Sequence, residues 1–392
     1  MYDQKQIKLV TKVLRKNKTN YWTGQECKNF EKEFSNYHNV KYSIAVSNGS
    51  VALEIGLKSL ALKNTQEVIV TSRSFIISAS CVLNLGLKPV FADVDSNGNI
   101  CIKSIKKIYN KNVKAIIVVH LNGLSCDMDW IIKFVKKNKI FLIEDCSQAH
   151  GAIYKAKKVG SFGDISTWSF CQDKIISTGG EGGMISTNNK KLWAKMWSLK
   201  EHGKNYKSVF NVKDKTKFKW LHDFLGSNYR MTEMQAAIGR EQLKILHSKI
   251  KKRNQIANLY LSGLKDYYQK YNILKKPDFK CHSCPFKYNL KKCNKCVHAF
   301  YRLNLFINKN KIKQNKLLQQ ISKKKINCGV GSCPEIYREK IFKKLKFYPK
   351  KRMFNAKLLG ETSVMFPIDP NRSLAKVKSE IDSIKKILNK YI

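Results

Sequence analysis

Short, almost wholly apolar runs alternate with segments of helical periodicity between residues 42 and 188 of the chain. The runs are rich in β-branched side chains, which is typical of strands buried on both faces of a sheet. The segments between them repeat their apolar side chains at helical spacing, most clearly over residues 51–62 and 128–137. Strands that alternate with helices predict an α/β fold, with a mostly parallel sheet covered by helices. The predicted strands are residues 67–70, 89–94, 115–120 and 140–144.

A long amphipathic segment begins at Thr232. Thr232 and Gln235 have the spacing of a capping box, and the apolar positions after them continue at helical spacing to about residue 264. The pattern predicts one long helix that leads from a first domain to a second. Before it, residues 204–222 show no apolar periodicity, and we predict that they form a mobile loop.

The sequence beyond the long helix differs in character from the part before it. It is richer in lysine and contains a strand candidate at residues 301–307 and a closing helical segment at 377–388. We therefore predict a large α/β domain over residues 20–250. A smaller α+β carboxyl-terminal domain would comprise residues 251–392 together with residues 1–19.

The composition favours a globular protein of the cytoplasm. Of the 392 residues, 43% are hydrophobic, which is enough to bury a sizeable core. The longest apolar runs are far shorter than the roughly 18 residues needed to cross a bilayer, so we expect no membrane association. The first residues are polar, so we expect no secretory signal. The 12 cysteines are then expected to be reduced thiols.

The formal net charge is +47, which raises the question of nucleic-acid binding. Of the 75 basic residues only nine are arginine, the residue on which base and phosphate recognition usually depends. The lysines are spread along the whole chain instead of forming one stripe. We therefore expect no nucleic-acid partner, although the positive field favours an anionic substrate.

One group of cysteines has the spacing of a metal site. Cys281 and Cys284 form one C-x-x-C pair, and Cys293 and Cys296 form a second. Paired spacing of this kind is typical of zinc or iron–sulfur knuckles. We nevertheless predict no bound metal and four reduced cysteines on an insertion, and the metal knuckle stays open as the alternative.

Four short motifs stand in order along the predicted large domain. Residues 47–50 (Ser-Asn-Gly-Ser) precede a helix, Asp145 closes a buried strand, Ser169 precedes Lys174 by five residues, and a glycine-rich run follows at 179–183. Each alone has an ordinary explanation, as a turn, a loop-capping carboxylate or a surface lysine. Together they offer backbone amides for a phosphate, a carboxylate for a ring cation, and an amine. A pyridoxal phosphate site requires those groups.

In order and spacing, the motifs resemble the DegT/DnrJ/EryC1/StrS family of pyridoxal-phosphate-dependent sugar aminotransferases. The resemblance runs from about residue 21 to the closing helix and is densest at residues 47–53, 144–151, 169–183 and 228–237. It implies the fold of type I pyridoxal-phosphate-dependent transferases. It also implies a homodimer whose active site is composite, with one cofactor contact supplied by the partner subunit.

The resemblance implies a role for each matching position. Lys174 would bind the cofactor covalently and later move the proton between the two carbons of the transamination. Asp145 would pair with the ring nitrogen, and Gln148 would hydrogen-bond the phenolic oxygen. Phe75 would stack on the ring, although an ordinary core aromatic is the alternative. The implied phosphate contacts are Gly49, Ser50, Ser169 and, from the partner subunit, Asn228.

The chain departs from the family pattern just before Lys174. The sequence Cys171-Gln172-Asp173 stands where the family usually has histidine or another residue. An acid next to Lys174 is expected to raise the pKa of its amine. The segment with the paired cysteines looks like an insertion before residues 297–301, which again fit the family.

The resemblance implies amino transfer from an amino acid, L-glutamate, to a keto sugar linked to a nucleoside diphosphate. The product would enter surface polysaccharide synthesis, including lipopolysaccharide and O-antigen. A related branch of the family that removes a sugar hydroxyl has histidine at the aldehyde-binding position, and Lys174 argues against that chemistry. One alternative is an aminotransferase for a non-nucleotide cyclic ketone such as an inosose. Another is a cofactor-binding or nucleic-acid-binding protein without turnover.

Overall fold

The computed structural model describes residues 2–210, 220–277, 295–331 and 335–392. Its strands, in chain order, are β1 (Tyr42–Val46), β2 (Glu67–Thr71), β3 (Lys88–Ala92), β4 (Val113–Val119), β5 (Phe141–Asp145), β6 (Ile153–Tyr154), β7 (Lys157–Lys158), β8 (Ile165–Ser169), β9 (Gly183–Thr187), β10 (Leu274–Lys275), β11 (Arg302–Ile307) and β12 (Ser363–Pro367).

The α-helices of the same residues number fifteen. They are α1 (Gln4–Arg15), α2 (Glu26–His38), α3 (Gly49–Ser59), α4 (Ile77–Asn84), α5 (Ile102–Ile108), α6 (Met128–Asn138), α7 (Lys190–Lys200), α8 (Tyr206–Phe210), α9 (Glu233–Lys244), α10 (Leu246–Gly263), α11 (Lys265–Gln269), α12 (Gln314–Lys323), α13 (Lys340–Lys344), α14 (Phe354–Thr362) and α15 (Leu374–Leu388). None of these described helices is both long and apolar enough to cross a membrane.

A seven-stranded sheet, ordered β1-β9-β8-β5-β4-β2-β3, forms the centre of the molecule. Strands β3, β2, β4, β5 and β8 are parallel, and β9 pairs antiparallel with both β8 and β1. Strand β1 therefore points the same way as β8, and only β9 is reversed among the seven. The predicted α/β fold with a mostly parallel, helix-covered sheet is confirmed. The four predicted strands correspond to β2, β3, β4 and β5.

The strand direction decides where a ligand can bind. In register, Val119 of β4 faces Asp145 of β5, and Asp145 faces Thr167 of β8. The carboxyl ends of β4, β5 and β8 therefore lie side by side at one edge. The loops that follow β1 and β2 leave the sheet at the same edge, where a crevice for ligands forms in such folds.

A second sheet, β10-β11-β12, is antiparallel and lies in the carboxyl-terminal part of the chain. Its apolar face packs with side chains of α10, α12 and α15 in a hydrophobic cluster of its own, which includes Tyr260, Leu305, Phe366 and Ile384. Helix α1 packs against α9. The domain boundary at residue 250 stays a prediction.

One local prediction was wrong, and another was wrong over part of its length. The single helix predicted from Thr232 to about residue 264 is interrupted at Ile245, which ends α9 and precedes α10. The apolar spacing continues across this break, so the periodicity alone did not reveal it. The segment predicted as a mobile loop, residues 204–222, contains the short helix α8, and its residues 211–219 lie outside the described part of the chain.

Candidate active site

A cleft of about 640 Å³ opens at the carboxyl edge of the central sheet. Its walls come from the segments that follow β1, β2, β5 and β8, and from the residues at the start of β11. Seven of the eight predicted cofactor residues line it: Gly49, Ser50, Phe75, Asp145, Gln148, Ser169 and Lys174. The eighth, Asn228, is exposed and does not line this cleft.

The turn between β1 and α3 forms one end of the cleft. The Asn48 side chain caps α3 by accepting a hydrogen bond from the Val51 amide at 2.9 Å. Gly49 is buried against β8, where an added Cβ would lie 2.6 Å from the Cβ of Ser169. The close approach places the first turn of α3 beside the Ser169 hydroxyl. A helix amino terminus of this kind has free amides and partial positive charge, which suit a phosphate.

Asp145 lies at the carboxyl end of β5 and is only 5% exposed. One carboxylate oxygen accepts a hydrogen bond from the Ser147 amide at 3.1 Å, and the other accepts one from the Ser78 hydroxyl at 3.4 Å. A buried carboxylate is costly unless hydrogen bonds or a cation compensate for its lost hydration. Asp145 lines the cleft, so a cationic ring nitrogen bound there would supply the missing charge partner.

Gln148 has a defined amide orientation. Its Oε1 accepts a hydrogen bond from the Asn122 amide at 2.8 Å. Asn122 is in the left-handed backbone region, with φ of 57°, and that conformation directs its amide towards the glutamine. With its oxygen occupied, Gln148 retains its Nε2 group as a hydrogen-bond donor for an oxygen in the cleft.

Lys174 follows β8 in a turn, where its amide donates to the Cys171 carbonyl at 3.0 Å. The side chain is 17% exposed, and its Nζ lies 3.3 Å from Asp173 Oδ1. The Nζ also donates to the Tyr301 hydroxyl at 3.4 Å. Burial in the cleft lowers the pKa of Lys174, but Tyr301 and Asp173 outweigh burial, and the net change is upward. The sequence-based expectation of a raised pKa has the same direction.

Several residues that were not predicted as cofactor contacts also line the cleft, and three of them carry polar or charged side chains from the glycine-rich run and from the start of β11. Tyr301 and Arg302, at the start of β11, form the wall next to Lys174, and Glu181 belongs to the glycine-rich run. The sequence places Tyr301 and Arg302 only in a strand of another part of the chain. The signal available was a tyrosine and an arginine at the start of a mostly apolar strand.

Phe75 and Asn228 are both more exposed than a completed cofactor site requires. Phe75 lies at the rim of the cleft with 66% of its surface exposed. Asn228 forms an isolated β-bridge with Glu201, and its Oδ1 accepts a hydrogen bond from the Arg230 amide at 3.4 Å. The stacking role of Phe75 and the role of Asn228 in a partner subunit stay predictions.

The cysteine knuckle falls mostly outside the described residues. Cys281, Cys284 and Cys293 lie outside the described residues. Cys296 is buried, and its sulfur accepts a hydrogen bond from the Lys155 amide at 3.3 Å.

A different cluster, His120, Glu144 and Cys146, has the ligand types of a metal site. Glu144 accepts a 3.0 Å contact from His120 and hydrogen bonds from the amides of Gly160, Phe162 and Gly163, which account for both its oxygens. We interpret this cluster as structural.

The cleft fits pyridoxal phosphate by the chemistry of its lining. It combines helix-terminal amides and a hydroxyl for the phosphate, a buried carboxylate for the ring nitrogen, an amide donor for the phenolic oxygen, and a lysine amine for the aldehyde.

Comparison with known proteins agrees with this chemistry. The model of the DegT/DnrJ/EryC1/StrS aminotransferase family matches residues 1–385. The crystal structure of an aminotransferase from Psychrobacter cryohalolentis is 40% identical and superimposes with a TM-score of 0.93, covering 100% of this chain and 98% of that one.

Two curated relatives are named for particular sugars. GDP-perosamine synthase of Escherichia coli O157:H7 is 38% identical over 247 residues. The dTDP-3-amino-3,6-dideoxy-α-D-galactopyranose transaminase of Aneurinibacillus thermoaerophilus is 37% identical over 249 residues. Each alignment covers 63% of this chain and 65% of the relative, so the chain spans less than two thirds of either enzyme in these matches.

Proposed function

Since the chain belongs to the DegT/DnrJ/EryC1/StrS aminotransferase family, whose cofactor is pyridoxal phosphate, we propose that it is a cytoplasmic sugar aminotransferase. It transfers the amino group of an amino acid, L-glutamate, to a keto sugar carried by a nucleoside diphosphate. The observation that carries this proposal is the cleft itself, in which Lys174, Asp145 and the first turn of α3 face one space.

In this proposal, different residues of the cleft bind different parts of the cofactor. Gly49, Ser50 and Ser169 bind its phosphate, Asp145 its ring nitrogen, and Gln148 its phenolic oxygen, while Phe75 covers the ring. When bound, pyridoxal phosphate supplies a reactive carbonyl and a ring that accepts the electron pair released from the substrate carbon.

Lys174 performs the proton transfers. Its amine is the only lysine amine among the residues that line the described cleft. With pyridoxal phosphate bound, Lys174 Nζ would take the proton from the α-carbon of the amino donor and return it to the adjoining carbon. The same amine would move the proton in the opposite direction when the keto sugar is aminated.

The substrate class follows from charge and from the relatives. A nucleoside diphosphate is anionic, and the net charge of +47 attracts anions to the molecule. The names of the two curated relatives refer to GDP- and dTDP-linked sugars. The aminated sugar would serve as a building block for surface polysaccharide.

We also propose that the active form is a homodimer. Asn228 is exposed, and the neighbouring large apolar residues Phe224 and Leu225 are exposed together. Adjacent exposed apolar side chains favour a surface that a partner covers. A second copy would cover this surface and bring Asn228 to the phosphate of the neighbouring site.

The test of the proposed function is incubation of purified protein and cofactor with glutamate and a panel of GDP-, dTDP- and UDP-linked keto sugars. Mass spectrometry should detect an aminated sugar and 2-oxoglutarate in equal amounts. The Lys174→Ala variant should lose nearly all turnover, since no other lysine amine of the described residues lines the cleft. Borohydride reduction and peptide mapping should find the wild-type cofactor on Lys174.

Other outcomes would contradict the proposal in distinguishable ways. Turnover of a free cyclitol ketone in place of every nucleotide sugar would assign the chain to another substrate class. Cofactor bound to a lysine other than Lys174 would overturn the site. Cofactor binding without turnover of any ketone would indicate a non-catalytic protein.

A further inference from the structure

Four polar side chains meet on one wall of the cleft. Tyr301 donates a hydrogen bond to Asp173 Oδ2, while Lys174 donates to the Tyr301 oxygen at 3.4 Å. Lys174 also contacts Asp173 Oδ1 at 3.3 Å. Arg302 also reaches this wall: its Nη2 lies 3.1 Å from the Tyr301 oxygen and 3.4 Å from Asp173 Oδ2. The carboxylate thus bridges two cations, with the phenol between them.

We propose that Asp173 and Tyr301 are positioning residues that act as the counter-ion of protonated Lys174. They hold its amine on this wall and stabilise the ammonium form that arises each time Lys174 takes a proton from a substrate carbon. This inference rests on the proposed role of Lys174 as the proton carrier. It extends that role to two residues, one from the lysine turn and one from the start of β11.

The hydrogen bonds give the network a fixed direction. Tyr301 is 5% exposed, and because its proton is directed to Asp173, its oxygen lone pairs are free to accept from the two cations. Asp173 is held ionised: burial opposes this, but the hydrogen bond from Tyr301 and the charge of Lys174 lower its pKa. Burial is also the largest influence on Tyr301 and raises its pKa, so the phenol stays protonated at neutral pH.

The effect on Lys174 depends on the other charged groups around it. His150 lies behind the lysine turn, and burial holds its pKa well below the usual range, so it carries no charge at neutral pH. The remaining ionisable groups that line the cleft are Asp145, Cys171, Glu181 and Arg302. Within the described residues, the Lys174 amine is in contact with Asp173 and Tyr301 and with none of those other groups.

The network matters for the proton balance of the reaction. As the substrate C–H bond breaks, its electron pair would stay with the substrate carbon and its proton would form a new N–H bond on Lys174. The new ammonium would be costly in a buried site without a counter-ion. Asp173 supplies that charge 3.3 Å away, and Tyr301 supplies a hydrogen-bond acceptor, so the proton can be held until it is delivered.

The experiment uses cofactor-free protein, so it does not depend on any substrate. A trace of an acylating reagent labels neutral amines only, and peptide mapping gives the labelling rate of Lys174 relative to exposed lysines of the same molecule. At about pH 8.5, below the pKa of an ordinary lysine, each unit by which the pKa falls raises the neutral fraction about tenfold. An opposite charge at this distance shifts a pKa by about one unit or more, with some loss because Asp173 is half exposed.

We expect Asp173→Asn to label several-fold faster than wild type at Lys174, and Tyr301→Phe to label faster by a smaller factor. Asp173→Glu keeps the negative charge, so its Lys174 should be labelled about as slowly as in wild type. Glu181→Gln is the matched control, because Glu181 lines the same cleft but contacts Cys171, and it should leave the rate unchanged. Equal rates in wild type and Asp173→Asn, or an equal increase in Glu181→Gln, would overturn the proposal.

The Arg302→Gln variant distinguishes an effect on the charge around Lys174 from an effect on the access of the reagent to the cleft. Removing this cation leaves Asp173 with Lys174 as its main partner, so labelling should become slower. If Arg302→Gln instead labels as fast as Asp173→Asn, the network acts by closing the cleft, and the counter-ion role is wrong. A failure of the sugar panel with the expected labelling pattern would refute the proposed substrate and leave the counter-ion intact.

Discussion

Gly49 shows how a single missing side chain can determine a site. Its backbone lies so close to β8 that an added Cβ would be 2.6 Å from the Cβ of Ser169. The two phosphate-binding elements, the turn after β1 and the end of β8, therefore depend on each other's position. Any side chain at residue 49 would force them apart.

We expect Gly49→Ala to weaken cofactor binding. Overpacking of this kind costs about 1–3 kcal/mol, which corresponds to a loss of affinity of roughly fivefold to 150-fold. An absorbance titration of cofactor-free protein measures it. The matched control is Gly56→Ala in the same helix, where the nearest atom to a new Cβ is the Ile165 Cγ2 at 3.2 Å. Equal affinity of the Gly49 and Gly56 variants would contradict the close-approach argument.

At the scale of elements, α9 depends on a capping box at its start. The Thr232 hydroxyl accepts a hydrogen bond from the Gln235 amide at 3.3 Å, and Gln235 Oε1 accepts one from the Thr232 amide at 2.9 Å. The helix packs against α1 and α2. Its amino terminus therefore fixes the position of two other helices.

Thr232→Ala should lower the free energy of unfolding by about 1 kcal/mol, the usual cost of a lost cap. Denaturant unfolding followed by circular dichroism measures this. Thr11→Ala serves as comparison, since its hydroxyl donates to the Ile7 carbonyl at 3.0 Å within α1 and caps no helix. If both variants lose the same stability, the capping interaction contributes nothing of its own.

Elements were more predictable than the contacts between them. The β-branched runs identify β2, β3, β4 and β5 because strands buried on both faces need apolar side chains at every position. The break between α9 and α10 at Ile245 is not visible in the sequence pattern, because the apolar spacing continues through it. Strand-end motifs indicated Asp145 and Ser169. Tyr301 reaches the cleft only through packing between distant parts of the chain, which no local pattern records.

At the scale of the whole molecule, buried histidines couple folding to pH. Burial lowers the pKa of His38 to about 3, and it lowers that of His150 well below the ordinary value. Both rings pack against Trp168. The pKa of a histidine in the unfolded chain is about 6.5. Between that pH and about pH 3, the unfolded chain therefore binds a proton at His38 that the native molecule excludes.

Stability should therefore be complete above about pH 7 and fall as the pH drops, by about 1.4 kcal/mol per pH unit for each such histidine. Thermal unfolding at pH 7 and pH 5 tests this. His38→Phe, which keeps an aromatic ring beside Phe34 and Trp168, should show a shallower loss between the two pH values. Identical losses in wild type and variant would show that His38 binds protons equally in the native and the unfolded state, which would contradict this prediction.

The walls of the cleft come from positions as far apart in the chain as Asn48 and Gly331. No fragment of the chain brings them together, so the cofactor has high affinity only for the completed fold. By mass action, each tenfold excess of free cofactor over its dissociation constant then adds about 1.4 kcal/mol to the free energy of unfolding. The supply of free cofactor would therefore influence how long the protein survives proteases, as well as how fast it works.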